Sequence, residues 1–143
     1  MRMDGEPLEQ SRPSPGRLAT VLAVEDEPVL RLLIELSLGG SGCRVLLAAT
    51  AEEALRHWGE RQAEIDLLVT DIVLPGPLDG LGLLRRLRDE RPGLRAILTT
   101  GSGGDRIPAL GPGEVRPLVL IKPYESEQLV AAVHQVMAAK LSP

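Results

Sequence analysis

At 143 residues the chain is long enough for one domain with a full core and too short for two. A net charge of −4 removes the global basic field that would hold nucleic acid or an anionic membrane, and one Trp, one Tyr and no Phe leave no platform on which bases could stack. The single cysteine, Cys43, permits no internal disulfide, and neither a signal-peptide core nor an apolar membrane span is visible, so a cytoplasmic protein with a Leu, Val, Ile and Ala core is expected. Cys43 itself, just before an apolar run, reads as a small core residue.

Residues 1–17 set Gly5, Pro7, Pro13, Pro15 and Gly16 among polar and charged residues, which predicts a disordered tail followed by a folded domain over 18–143. Leu18 to Val24 is a first buried strand that ends in three acids, Glu25-Asp26-Glu27. Pro28 suits the first turn of a helix, and Val29, Leu32, Leu33 and Leu36 give it an apolar stripe before Gly39-Gly40 stops it. Arg44 to Ala48 is the second strand. Thr50-Ala51-Glu52-Glu53 has the capping-box pattern that opens a helix to about Glu60, with Ala54, Leu55 and Trp58 inward. His57 beside that face has no second His or Cys at ligand spacing, so it reads as a surface or packing residue rather than a metal ligand.

The run from Ile65 to Leu74 is short, apolar at consecutive positions and closed by Pro75-Gly76, the signature of a strand covered on both faces; it carries one carboxylate, Asp71, to its far end. After a Pro- and Gly-rich loop, Leu81 to Glu90 is a helix with Leu83, Leu84 and Leu87 apolar, ended by Pro92-Gly93. Arg95 to Thr100 is a fourth strand. The Gly- and Pro-rich stretch behind it leaves room for little more than one helical turn around Arg106 to Leu110. Leu118 to Ile121 is a fifth strand, ending in Lys122-Pro123. Ser126 then caps a last helix with Leu129, Val130, Val133, Val136 and Met137 buried and His134 outside the stripe. Strands alternating with helices predict a parallel sheet covered on both faces, with right-handed crossovers.

In such a sheet, ligands collect beyond the carboxyl ends of the strands. Glu25 with Asp26, then Asp71, Thr100 and Lys122 all arrive at that one edge. Three gathered carboxylates repel one another and favour a hard cation such as Mg²⁺, while a lysine and a hydroxyl beside it complete a cradle for a phosphoryl group. Asp71 can then act as a nucleophile and form an aspartyl phosphate.

The pieces Val24-Glu25-Asp26-Glu27-Pro28, Thr70 to Gly76, Thr99-Thr100-Gly101 and Ile121-Lys122-Pro123, in this order and spacing, resemble a response-regulator receiver domain of two-component signalling from about Leu18 to Ala139. The resemblance implies a flavodoxin-like, doubly wound five-stranded sheet of order 2-1-3-4-5, in which the Gly- and Pro-rich stretch before the fifth strand of this chain makes the fourth helix short or broken. It further implies that Asp71 accepts phosphate from a histidine kinase or histidine phosphotransfer protein. Asp26 would bind Mg²⁺ directly, Glu25 through water, and the Val73 carbonyl would join the metal shell. Thr100 and Lys122 would contact the phosphoryl group, and the Lys122-Pro123 bond would be cis. Such a chain is no enzyme beyond its own phosphorylation and dephosphorylation, stands as a monomer or weak homodimer, and signals through a protein partner, with neither nucleic acid nor membrane.

Three departures stand out. The loop after Asp71 is one residue longer than the commonest receiver pattern, Val119 stands where an inward-swinging aromatic is usual, and the fourth helix is interrupted by Gly and Pro. With nothing after the last helix to act as an output domain, a stand-alone receiver is expected. Two alternatives differ in class. A phosphatase of the haloacid-dehalogenase type wants an Asp-x-Asp pair, which Asp71-Ile72-Val73 lacks; a receiver-like binding module that takes no phosphate would not need the intact set Glu25, Asp26, Asp71, Thr100 and Lys122.

Overall fold

The computed structural model describes residues 19–101 and 114–140. The expected tail and the expected short helix around Arg106 to Leu110 lie outside the described residues. In chain order the elements are β1 (Thr20–Val24), α1 (Pro28–Gly40), β2 (Arg44–Ala48), α2 (Ala51–Arg61), a 3₁₀ turn (Gln62–Glu64), β3 (Leu67–Asp71), α3 (Gly80–Glu90), β4 (Arg95–Thr100), β5 (Leu118–Ile121) and α4 (Ser126–Lys140). The strands form one parallel sheet of order β2-β1-β3-β4-β5, as the resemblance implies.

Strand alternation builds two cores from one sheet. Leu22 and Val24 of β1, Leu68 of β3 and Leu98 of β4 face Ala54 and Trp58 of α2 and Leu83 and Leu87 of α3. Val21, Ala23, Leu67, Val69 and Ile97 face the other way, onto Ile34 and Leu38 of α1 and Leu129 and Val133 of α4. Burial on both faces explains why β1 and β3 read as continuous apolar runs. No helix among the described residues is long and apolar enough to cross a membrane.

Helix starts follow their capping residues. Thr50 Oγ1 accepts from Glu53 N at 3.1 Å, and Asp79 Oδ1 accepts from Gly82 N at 2.8 Å, each satisfying an amide that the first turn leaves without a partner. Ser126, expected as a cap, is instead the first residue of α4, and its hydroxyl meets that of Ser37 on α1. The expected stripe of α1 is also corrected. Val29, Leu32 and Leu36 are exposed and Leu33 is only half-buried, whereas Ile34 and Leu38 are the buried residues. The helix carries apolar residues on two competing phases, and the one aligned with the sheet and α4 is buried.

Two arginines knit the scaffold. Arg88, buried on α3, donates to Leu94 O and, at 2.7 Å, to Val115 O, tying the segment that enters β5 to the α3–β4 turn. Burial lowers its pKa, a cost those carbonyls offset in part. Arg91 lies 4.7 Å above the Trp58 ring and donates to Ile65 O and Gln62 O, joining the ends of α2 and α3.

Candidate phosphoryl and metal site

The register of the sheet assembles the site before any side chain is considered. Val24 pairs with Thr70, so Glu25 comes level with Asp71; Asp71 pairs with Thr99, and Thr100 with Ile121, one residue before Lys122. The ladders continue past the strand ends. Glu25 N donates to Ala48 O at 3.0 Å and Lys122 N to Thr100 O at 2.8 Å, so the main chains under both charged residues are fixed by the sheet. The Lys122-Pro123 peptide is cis.

The loop after Asp71 is held just as closely. Gly76 adopts φ +94°, a left-handed turn that suits glycine. Gly80 N donates to Ile72 O at 2.9 Å, and α3 begins so near the strand that a Cβ on Gly80 would stand 2.0 Å from the Asp71 carbonyl oxygen. Val73 N donates to Asp71 Oδ1 at 3.2 Å, bringing the Val73 main chain beside that carboxylate while its side chain faces solvent.

Glu25 and Asp71 are buried and Asp26 is exposed, and each of the three offers a carboxylate oxygen within 4.8 Å of the others. Lys122 Nζ lies 2.6 Å from Asp71 Oδ2 and 3.1 Å from Glu25 Oε1. The first contact is a hydrogen bond; the second is an ion pair by distance that leaves Oε1 without a hydrogen bond, while Oε2 accepts from Glu27 N at 3.2 Å. Burial raises the Glu25 pKa, and the Asp71 charge adds to it, against the Glu27 amide and Lys122. Burial draws the Lys122 ammonium down, but its contacts with Asp71 and Glu25 outweigh this and its pKa is raised.

Hard oxygen donors of this number and charge fit Mg²⁺, and a buried carboxylate oxygen without a hydrogen bond is the kind of atom a cation satisfies. Every expected site residue therefore stands at one sheet edge, with Thr100 buried at the end of β4. Arg31 was not singled out by sequence. Its Nη1 donates to Glu25 O at 2.8 Å and Asp26 O at 3.1 Å and so clamps the acidic turn, but a bond to main-chain carbonyls leaves no signature in residue spacing. His57 bonds Leu47 O at 2.8 Å, in keeping with a packing role.

Residues 21–134 match the family model for the response regulator receiver domain. The chain belongs to that family. The sensor kinase CckA of Brucella abortus is 35% identical over 119 residues, 83% of this chain and 12% of that protein. The probable transcriptional regulatory protein TcrX of Mycobacterium tuberculosis is 32% identical over 128 residues, covering 88% of this chain and 53% of its own length. This receiver domain thus spans about half the length, or far less, of the curated relatives it matches. Among solved structures, a response regulator receiver domain protein from Clostridium thermocellum superposes with a TM-score of 0.73 at 30% identity, covering 85% of this chain and 96% of the other. The receiver domain of the hybrid histidine kinase CckA gives 0.69 at 30% identity, covering 83% and 99%. Receiver domains of this kind serve two-component systems, in which histidine kinases phosphorylate them and Mg²⁺ is typically bound.

Proposed function

We propose that this receiver domain takes a phosphoryl group onto Asp71 from the phosphohistidine of a kinase or phosphotransfer protein in the cytoplasm and signals by contact with a protein partner. The observation that carries the reading is the Lys122 ammonium seated 2.6 Å from Asp71 Oδ2, within the three-acid cluster. A nucleophilic carboxylate needs a cation to share the charge that arrives with phosphate, and one is in hand.

An Asp71 carboxylate oxygen attacks phosphorus, the phosphorus–nitrogen bond of the donor breaks, and the imidazole nitrogen leaves with the electron pair. Lys122 shifts from Asp71 Oδ2 to the phosphoryl oxygens, and the Thr100 hydroxyl donates to one of them. Glu25, Asp26, Asp71 and the Val73 carbonyl would hold Mg²⁺, which when bound offsets the acids' charge and shares its oxygen shell with the phosphoryl group. Hydrolysis of the acyl phosphate resets the domain, and no further reaction is assigned to it. A protein donor also needs somewhere to land. The exposed Val29, Leu32 and Leu36 run along α1 directly from the acidic turn, and exposed Val73 and Ile121 adjoin Asp71 and Lys122.

Incubation with Mg²⁺ and acetyl phosphate, followed by mapping of the base-labile adduct, tests the site. One phosphoryl group on Asp71 is expected, and Asp71→Asn should take none while keeping its melting temperature within a few degrees. Full labelling of that variant would overturn the assignment, and an unlabelled wild type would favour a binding module that takes no phosphate.

A further inference from the structure

A cleft of about 230 Å³ opens at the edge of the sheet opposite Asp71, where β4 and β5 begin beside the later turns of α4. Its walls include Arg95 at the head of β4, Arg116, Pro117 and Leu118 on the way into β5, and Gln135 and Val136 on α4. The sheet sets the two arginines side by side. Ile97 pairs with Leu118 in the parallel ladder, and Arg95 and Arg116 stand two residues earlier on their respective strands. Ile97 and Leu118 belong to the layer that α4 covers, and both arginines line the cleft on that face. Neighbouring strands lie about 5 Å apart, and like charges directly across them oppose pairing. Among the described residues neither guanidinium has an ion-pair partner, and no acid lines the cleft. Glu114, two residues before Arg116, acts instead on Arg88 of α3, the helix that covers the other face.

Two adjacent cations beside an apolar wall select a ligand with an anionic head and an apolar body. A guanidinium presents parallel N–H donors that match the two oxygens of a carboxylate, and Gln135 adds one neutral polar side chain. A cavity of about 150 Å³ is enough to hold benzene, so the space here takes one ring with its acid group. We propose that this cleft binds a small aromatic carboxylate, the anion between Arg95 and Arg116 and the ring against Pro117, Leu118 and Val136. Such a ligand ties the start of β5, an edge strand with one neighbour, to β4. The site lies at the far edge of the sheet from Asp71 and does not depend on phosphorylation there.

Benzoate is the probe. The full chain is titrated with it while amide resonances are followed by NMR and heat by calorimetry. Saturable shifts centred on Arg95, Ala96, Leu118 and Val136 are expected. Benzyl alcohol, which keeps the ring and loses the charge, and acetate, which keeps the charge and loses the ring, should each bind at least about tenfold more weakly, as should benzoate to Arg95→Gln or Arg116→Gln, the effect of one lost bond to a charged group. Acetyl phosphate should label Asp71 in both variants at the wild-type rate. Absence of a saturable shift, shifts centred elsewhere, benzyl alcohol bound as tightly as benzoate, or wild-type benzoate affinity in both variants would overturn the site; the comparison of probes uses the wild type alone and needs no variant to fold. A wild type that binds benzoate but takes no phosphoryl group would support this site while removing the reading of Asp71.

Discussion

β3 and β5 deliver the two opposite charges that meet at the site, yet they are built differently. β3 lies between β1 and β4 and is buried at all five positions, and Gly80 presses on its last carbonyl. β5 is an edge strand with one neighbour, half-buried from Leu118 to Leu120 and exposed at Ile121. The anion is thus set in the most constrained part of the sheet and the cation in a less constrained one. For a reaction in which Asp71 stays attached while Lys122 changes partner, this division suits the chemistry. It also separates what mutation should do to the fold from what it should do to the response.

The largest contrast is expected in stability. Leu68→Ala empties a fully buried site in β3 and should cost about 3–5 kcal/mol, whereas Leu120→Ala on the edge strand should cost about 1–2 kcal/mol, because its neighbourhood is already partly open to water. Urea unfolding measures both, and equal losses would mean that β5 is as constrained as β3. Next in size is Gly80→Ala. Its methyl group would overlap the Asp71 carbonyl, so strand or helix must give way at a cost of roughly 2–3 kcal/mol. Labelling by acetyl phosphate should fall with it. A variant with wild-type stability and labelling would show that α3 yields freely and that the Asp71 main chain is not held by it.

The sequence made the site more legible than the scaffold around it, for physical reasons. Glu25, Asp71, Thr100 and Lys122 each sit at or just past the end of a short apolar run, and a parallel sheet must bring such ends to one edge, so order alone places them together. The phase of α1 was not legible. Leu30, Ile34 and Leu38 make one series at four-residue steps, Val29, Leu32 and Leu36 another at steps of three and four, and only packing against β1, β2 and α4 selects the first. Arg88 on a helix reads as a solvated charge, yet it is buried, because a carbonyl from the turn after its helix and one from the distant segment before β5 converge on it. Tyr124 was visible as a lone aromatic beyond Lys122-Pro123, but nothing in residue order tells that its hydroxyl is buried without a partner.

A smaller effect separates the acids from each other. The Glu25 pKa is raised above its ordinary 4.5, so the folded protein holds this proton more tightly than the unfolded chain does. The contribution of Glu25 to stability is therefore fully present below pH 4.5 and is lost as pH rises through the raised value. Without metal, Glu25→Gln should flatten the melting temperature across mildly acidic pH and exceed the wild type at neutral pH. Added Mg²⁺ should raise the wild-type melting temperature more than that of the variant. Asp26 is exposed and its charge is screened by water, so Asp26→Ala should weaken Mg²⁺ binding with little change in metal-free stability. A metal-free Glu25→Gln protein less stable than the wild type at neutral pH would place the ion pair with Lys122 above the cost of burying the carboxylate.

The smallest effect on the fold is expected on α1, where the distinction is between a surface that shapes the site and one that receives a partner. Leu32 is 53% exposed and Leu36 65%, and neither belongs to either core, so Leu32→Ser with Leu36→Ser should change unfolding free energy by no more than about 0.5 kcal/mol per site. Acetyl phosphate, too small to need a docking face, should label this double variant at the wild-type rate. A phosphorylated histidine phosphotransfer protein that labels the wild type must bring a folded surface against the acidic turn, and its transfer should slow severalfold as apolar contact with α1 is lost. The two donors make the comparison sharp. Equal slowing by both would mean that α1 acts through the position of Glu25 and Asp26, which Arg31 clamps from the same helix. Wild-type rates from both would move the landing face elsewhere, with exposed Val73 and Ile121 on the other rim of the site as the next residues to change.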